Sequence, residues 1–387
     1  MSLFFNETHL ALRDTVRRFA DSELKPRAAA LDESQGFNLE AMKNMGPLGL
    51  LGITADTEFG GSGMDAVAAT LVHEELGAVC ASTALSYLAH SMLAVNNLHK
   101  NGSVEQKKKY LPKLCSGEWI GSMAISEPGA GSDAYGLKLA AVKAGSNYVL
   151  NGTKMWITNG THSNFFWVYA KTGPSRKDIS TFIVEKGFKG FSIGKKLDKL
   201  GMRASPTCEL IFENCQVPVE NLVGNEGTSI AQMARNLLIE RITIAGISLG
   251  IARSSIAYAT QYAKDRKQFD KPIMDFQMIQ KMLADATGEY LAARSLTYES
   301  AACLDQKGDD APEALMLGTS AKLVAAQMAT KVAMDAIQIL GGYGYTKEFP
   351  VERYMRDAKL IEIGAGTNEV MRIILARELA RGLVPGI

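Results

Sequence analysis

Residues 361–377 read Ile-Glu-Ile-Gly-Ala-Gly-Thr-Asn-Glu-Val-Met-Arg-Ile-Ile-Leu-Ala-Arg. Gly364, Ala365 and Gly366 form a small-residue triplet that lets a ligand approach the backbone closely. Thr367 is a suitable helix N-cap, and Val370, Ile373 and Ile374 then recur at helical spacing. The stretch therefore predicts a tight turn opening a helix. Such a turn offers free backbone N–H groups to an anion or a carbonyl oxygen, and it also occurs as an ordinary helix start.

Working outward, the pattern is helical from about Thr228 to the end, with long Ala/Leu/Ile/Met segments and a break at Gly341-Gly-Tyr-Gly344. The preceding region, from about Trp119 to 220, has a different texture. Tyr148-Val-Leu-Asn-Gly-Thr-Lys154 carries an Asn-Gly turn signal beside apolar residues, Phe165–Ala170 and Ile179–Val184 are β-rich, and Cys208, Leu210 and Phe212 alternate with polar neighbours. Before Gly117 the chain is helical again. Leu12, Val16, Phe19 and Leu24 make one apolar stripe, and Leu39, Met42 and Met45 a second that ends at Gly46-Pro47. Long helical patterns follow over Met64–Val79 and Ser82–Lys100. Helices, then strands, then helices is an α+β order, with expected domains 1–118, 119–222 and 223–387.

The 387 residues suffice for two or three packed units. A net charge of +1 gives no electrostatic case for nucleic acid or an acidic membrane. The five cysteines lack zinc or redox spacing and the five histidines show no metal-ligand pattern, so reduced thiols and no metal are expected. The most apolar run, Ile242–Ala252, is too short to span a bilayer, so no membrane insertion is expected. The N-terminus shows neither a signal h-region nor a basic transit segment, which favours a bacterial cytoplasm or, for a processed protein, the mitochondrial matrix. The run Lys107-Lys108-Lys109 reads as a solvated helix face.

Four segments bear on chemistry. Met123-Ala-Ile-Ser-Glu-Pro-Gly-Ala-Gly-Ser-Asp133 is a tight loop that reads as a surface turn, without the strand–turn–helix setting of a dinucleotide fingerprint. In Lys154-Met-Trp-Ile-Thr-Asn159 the Trp is either core or a surface for a flat ring system. Arg266-Lys-Gln-Phe-Asp270 with Phe276-Gln277, and Gln338-Ile-Leu-Gly-Gly-Tyr-Gly-Tyr345, fit a solvated helix end and a helix C-cap. A fifth feature is Glu240, whose helical neighbours are Met233, Leu237, Ile244, Ile247 and Ile251, with Thr243 the adjacent polar side chain. A carboxylate on such a face is either paired with a base or functional, because burial alone raises its pKa.

Taken in order, these segments resemble the flavin-dependent acyl-CoA dehydrogenases over nearly the whole chain. The resemblance implies an N-terminal helical domain, a middle β-barrel and a C-terminal four-helix bundle, assembled as a homotetramer (a dimer of dimers) with FAD between barrel and bundle. By position, Met123, Ile125, Ser126, Trp156 and Thr158 would line the flavin from one subunit, with Thr367 and Glu369 also holding it. Arg266, Phe269, Gln277, Gln338, Gly341 and Gly342 would reach the FAD of a neighbouring subunit, and Ser132 would bridge flavin and substrate. In most of the family the terminal signature is Tyr-Glu-Gly-Thr and its Glu is the catalytic base. Here Gly364 and Ala365 occupy those two places. The isovaleryl-CoA branch resembles this chain in carrying Gly-Ala-Gly-Thr there and Glu-Arg in the earlier helix, which implies that Glu240 is the base and that Arg241, Gly364, Ala365 and Gly366 adjoin the substrate. Two residues depart from the pattern: Leu88 stands where relatives commonly have Gly in a helix lining the acyl pocket, and Leu238 where they tend to have Asp near the CoA pantetheine. The implied reaction is α,β-dehydrogenation of a short or branched acyl-CoA, isovaleryl-CoA foremost, with electrons passed to an electron-transfer flavoprotein. Other acyl-CoA dehydrogenases, an acyl-CoA oxidase and a non-catalytic flavoprotein are the alternatives; oxidases of this superfamily are usually much longer, and the last needs a basic face that a net charge of +1 argues against.

Overall fold

The computed structural model describes residues 4–383. The first block is helical: α1 (Glu7–Phe19), α2 (Ala28–Ser34), α3 (Leu39–Asn44), α4 (Ala66–Gly77), α5 (Ala81–His90), α6 (Asn97–Asn101) and α7 (Val104–Cys115). Asn6, Asp65 and Ser103 cap α1, α4 and α7 by accepting the N–H three residues on, which satisfies donors that a helix start leaves free. The helix expected over Ser82–Lys100 is one column, α5 and α6 joined by a π-helical turn at Ser91–Asn96.

The middle block is an eight-stranded sheet of β1 (Gly121–Ala124), β2 (Ala140–Ala144), β3 (Asn147–Thr158), β4 (Phe165–Lys171), β5 (Ile179–Glu185), β6 (Phe191–Lys196), β7 (Thr207–Pro218) and β8 (Leu222–Val223). Its order is β6-β7-β3-β2-β4-β5-β8, with β1 parallel to β4. That hydrogen-bonded path runs from β6 to β8 without closing. Successive side chains of β4 point to opposite faces: Phe166 and Val168 pack with Phe182 and Leu210, whereas Phe165, Trp167 and Tyr169 pack with Leu98, Leu114 and Met233 from the helices. Both faces of β4 are therefore covered, which explains its continuous apolar run.

The Asn151-Gly152 pair makes no turn. It lies inside β3 at a register shift between Leu150 and Gly152, and the turn is at Gly145-Ser146, with Ala144 opposite Asn147. Gly152 has φ +142° and a Cβ there would sit 3.0 Å from Leu139, so this glycine serves a bulge and a close strand approach.

The last block holds α8 (Ser229–Asp265), a small hairpin of β9 (Lys267–Gln268) and β10 (Lys271–Pro272), α9 (Gln277–Lys307), α10 (Pro312–Leu340), α11 (Val351–Ile361) and α12 (Asn368–Ala380). Helices α8, α9 and α12 pack around α10. Helix α8 is apolar on three sides because each meets something different. Leu238, Ile242, Ala245 and Leu249 enter the bundle, Ile244, Ile247 and Ile251 join the core of the N-terminal helices, and Met233 joins the core beneath the sheet. Helix α8 and the column Pro312–Tyr345 are long and apolar enough to cross a membrane, yet in this fold their buried surfaces are used for packing. Helix α8 crosses α4 with backbones nearly touching: a Cβ on Gly250 would lie 2.4 Å from the Glu74 carbonyl oxygen. Around that crossing, buried Glu74 accepts from Tyr298 (2.5 Å) and Arg294 (3.1 Å), and Glu75 from Arg17 (2.8 Å) and Arg253 (2.6 Å), which ties the first block to the last.

Candidate active site

The turn between α11 and α12 is built from backbone bonds. The N–H of Gly364 donates to Leu360 O (2.8 Å) and that of Asn368 to Glu362 O (2.9 Å). Ala365 (φ +56°) and Gly366 (φ +88°) are consecutive left-handed residues, and the alanine bears a strain of about 1–2 kcal/mol. Thr367 caps α12, its Oγ1 accepting from Val370 N at 3.2 Å. Among the described residues no acceptor takes the N–H of Ala365. A Cβ on Gly364 would meet only Leu360 O, at 3.5 Å, so there is room beside it.

Glu240 is 7% exposed, and its Oε2 has no hydrogen-bond partner. Burial pushes its carboxyl up to about 7, against the opposing pull of Arg241 and Lys322. Among the described residues it forms no ion pair. Arg241, next in sequence, points elsewhere, is itself buried, and leaves its Nε unpartnered. The other carboxylates near the turn are differently placed: Glu362 pairs with Lys359 at 2.8 Å, and Glu369 is exposed beside Arg372. Ile244 and Ile247, on the same stripe of α8 as Glu240, belong to the same apolar cluster as Leu88, Leu360, Ile361 and Ala365, and α8 packs against α11, the helix that leads into the turn. Leu88 is fully enclosed there. Leu238 faces the other way, its Cδ1 2.7 Å from where a Cβ of Gly318 would stand, inside the bundle.

Lys322 joins these pieces and was not identified from the sequence. Its fully buried ammonium, on α10, donates to Gly366 O (2.6 Å) and Asn368 Oδ1 (3.1 Å). Burial pulls it down to about 8, with Glu240 acting in the opposite direction. A lone lysine among Ala321, Ala325, Ala326 and Ala329 was the available signal.

The loop after β1 is strapped to β3. Lys154 Nζ donates to Ile125 O (2.7 Å) and Glu127 Oε1 (2.9 Å), Met155 N donates to Ser126 O (2.9 Å), and Glu127 also accepts from Lys138 N and Leu139 N. Burial pushes Lys154 down to about 8, with Glu127 pulling the other way. The strap sets Ile125 and Ser126 beside Trp156. This Trp is not core: it is 58% exposed with φ +64°. Half-buried Thr158 lies two residues on, its carbonyl accepting from Ser122 Oγ at 2.8 Å. Met123 points back toward the helices, its sulfur taking the amides of Asn97 (3.5 Å) and Asn236 (3.6 Å), the latter one turn before Glu240. Ser132 is exposed, next to the Asp133–Arg176 pair. An exposed indole flanked by a half-buried threonine and a loop fixed by buried struts fits one face of a flat ring system such as a flavin.

The remaining six expected residues assemble elsewhere. Arg266 lies over the Tyr343 ring (5.7 Å), and Phe269 packs edge-on to Phe276 (5.9 Å). Gln277, Gln338, Gly341 and Gly342 are exposed, and a Cβ on either glycine would meet nothing within 4 Å. Gly341 (φ +61°) ends α10 as a C-cap. Phe269 is 87% exposed with φ +51°. Glu240 and Asp265 lie in one unbroken helix, so this patch is about 38 Å along α8 from the carboxylate. The expected residues thus fall into two separate groups on one chain.

Three comparisons with known proteins agree on the family of this chain. Family profiles described as acyl-CoA dehydrogenase N-terminal, middle and C-terminal domains match residues 6–118, 122–215 and 225–380. The chain is 45% identical to a mitochondrial isovaleryl-CoA dehydrogenase of Pongo abelii over 378 residues, covering 96% of this chain and 88% of that one. Among solved structures it is similar to butyryl-CoA dehydrogenase from Megasphaera elsdenii (TM-score 0.95, 36% identity, 98% of this chain and 100% of that one). It is also similar to an acyl-CoA dehydrogenase complexed with FAD from Bacillus anthracis (TM-score 0.92, 32% identity, 98% of this chain and 70% of that one).

Proposed function

This chain belongs to the acyl-CoA dehydrogenase family of FAD-dependent oxidoreductases, and on that premise we propose that it oxidises a short β-branched acyl-CoA, isovaleryl-CoA foremost, with Glu240 as the base. The observation that carries this reading is a buried, unpaired carboxylate on a helix packed against the one that leads into a left-handed turn with a free N–H.

Glu240 takes the α-proton of the thioester. A base whose pKa lies near 7 is half ionised at neutral pH and strong enough to accept a proton there. The negative charge that then develops on the thioester oxygen is met by the N–H of Ala365, held in place by its left-handed backbone. Bound FAD would supply the hydride acceptor for the β-hydrogen. Gly364 leaves room for a branch at Cβ, whereas enclosed Leu88 limits chain length. A straight short chain is the second reading, because Leu88 limits length without demanding a branch.

Trp156, Thr158, Ile125 and Ser126 would hold one face of the flavin, with Thr367 and Glu369 beside it. Arg266, Phe269, Gln277, Gln338, Gly341 and Gly342 gather at the far end of α8 from Glu240, which supports their supply by a second copy of the chain, and the family resemblance implies a homotetramer built as a dimer of dimers. An electron-transfer flavoprotein takes the electrons onward. A bacterial cytoplasm or a mitochondrial matrix suits this chemistry.

The test is anaerobic flavin bleaching by isovaleryl-CoA, beside a panel of straight and branched thioesters. Wild type should bleach, and Glu240→Gln should bind FAD and thioester yet reduce roughly 10³-fold more slowly. Near wild-type reduction by Glu240→Gln would place the base elsewhere. A kcat/KM clearly favouring chains of a dozen carbons or more would overturn the substrate assignment.

A further inference from the structure

Helix α10 brings one charged group into the space between the base and the turn. Gly318, one turn before Lys322, is packed against Leu238 and Ile242, the residues on either side of the Glu240–Arg241 pair. Lys322 therefore enters at the level of the base. Its side chain is fully buried, and both of its hydrogen bonds end on the 366–368 segment. A buried ammonium must be compensated, and here a carbonyl, an amide oxygen and a nearby carboxylate share that task.

We propose that Lys322 is a positioning residue for the reaction: one ammonium clamps the turn that carries the Ala365 N–H and sets a positive charge beside Glu240. This rests on the assignment of Glu240 and Ala365 given above. The clamp acts on two atoms that follow the Ala365 N–H in the turn. Gly366 O belongs to the residue that follows Ala365, and Asn368 Oδ1 to the first residue of α12. Without the ammonium, a strained left-handed pair is held only by its backbone bonds and the Thr367 cap. The charge acts on the base. Arg241 on its own helix and Lys322 on α10 both favour its ionised form, and Tyr169 on β4 is the neutral phenol within range of it. Lys322 in turn senses Glu240, Arg241, Glu362 and Glu369. Removing the cation raises the pKa of Glu240, so a smaller fraction of the base is ionised at any pH below the new value.

The experiment compares wild type, Lys322→Met and Lys322→Gln as holoenzymes. Methionine keeps the length and loses both donor and charge; glutamine keeps a donor and loses the charge. Amide hydrogen exchange of the 362–370 segment reads the clamp independently of turnover. In Lys322→Met exchange there should quicken by about tenfold or more. The acid limb of kcat/KM against pH, taken with the best thioester of the panel, should move up by about one unit, and kcat should fall about tenfold with KM nearly unchanged. In Lys322→Gln the limb should still move up while exchange stays closer to wild type. The proposal is overturned if Lys322→Met leaves either the exchange or the limb at its wild-type position, or if the limb in Lys322→Gln does not rise. If instead Glu240→Gln proves active, the assignment of the base fails, while faster exchange in Lys322→Met still reports the clamp.

Discussion

Replacing Glu240 by Gln should raise the protein's stability relative to wild type progressively as pH rises, while stopping its chemistry. Burial raises the carboxyl from its ordinary 4.5 to about 7. A carboxyl raised in the folded state favours folding fully only while protonated, below the unfolded value of 4.5. That contribution is lost as pH rises toward and through 7. Integrating the linkage, the wild-type protein loses about 3 kcal/mol from this group by pH 8 and about 1 kcal/mol by pH 5, relative to strong acid. Glutamine does not titrate. The stability gap between Glu240→Gln and wild type should therefore widen by about 2 kcal/mol in favour of the variant between pH 5 and pH 8. The comparison across pH cancels the separate cost of leaving a buried amide short of partners, about 1–3 kcal/mol at either pH. Urea unfolding followed by circular dichroism, at equal protein and FAD concentrations, measures the gap. The same wild-type titration should appear in kcat/KM as an acid limb near pH 7 that Glu240→Gln lacks. Parallel stability curves for the two proteins from pH 5 to pH 8 would refute the reasoning, because a carboxylate that ordinary solvent or a partner accommodates leaves no such gap.

Lys154→Met should cost about 3–5 kcal/mol of stability, since it strands buried Glu127 without its ion-pair partner, and FAD retention on gel filtration should fall with the Ile125–Ser126 loop released from β3. Gly366→Ala should lower the melting temperature and kcat together: at φ +88° a side chain costs about 1–2 kcal/mol, and its methyl would stand 2.7 Å from Met371 Cε. Leu88→Ala should cost about 2–5 kcal/mol through the cavity it leaves, and should raise kcat/KM for six- to eight-carbon thioesters, in a ratio of about 10-fold or more relative to isovaleryl-CoA. An unchanged ratio would mean that Leu88 does not bound the acyl pocket.

Much of the architecture is visible in the sequence because it rests on periodicity. The stripe Leu12, Val16, Phe19 forms α1, the alternation at Cys208, Leu210, Phe212 forms β7, and Thr367 caps the helix it precedes. Local signals misled where tertiary contacts decide. Asn151-Gly152 has the composition of a hairpin turn, yet Leu139 crosses so close that only a glycine fits, and the pair became a bulge. Trp156 in a strand suggests core, yet a positive φ turns the indole outward. Glu240 was recognisable as an anomaly, because a helix apolar on every side has no ordinary place for a carboxylate. Helical spacing also makes its neighbour Arg241 a poor partner, because successive helix residues point about 100° apart.

The residues that escaped the sequence share a physical cause. Lys154 and Lys322 are buried lysines whose partners include backbone carbonyls of remote segments: Ile125 O for one, Gly366 O for the other. A carbonyl belongs to every residue type, so no pattern of letters marks it as an acceptor, and the lysine reads only as an isolated charge in an apolar run. Both nevertheless do the same thing for the site. Each holds a short loop, the one after β1 and the one before α12, against a rigid element, β3 or α10. The residues proposed to meet ligand then lie on or beside those loops, while the groups that fix the loops are buried and paired. That division explains why motif residues such as Trp156 and Ala365 were found by resemblance and their supports were not: the recognised letters are those proposed to meet ligand, and the unrecognised ones hold the loops that carry or adjoin them.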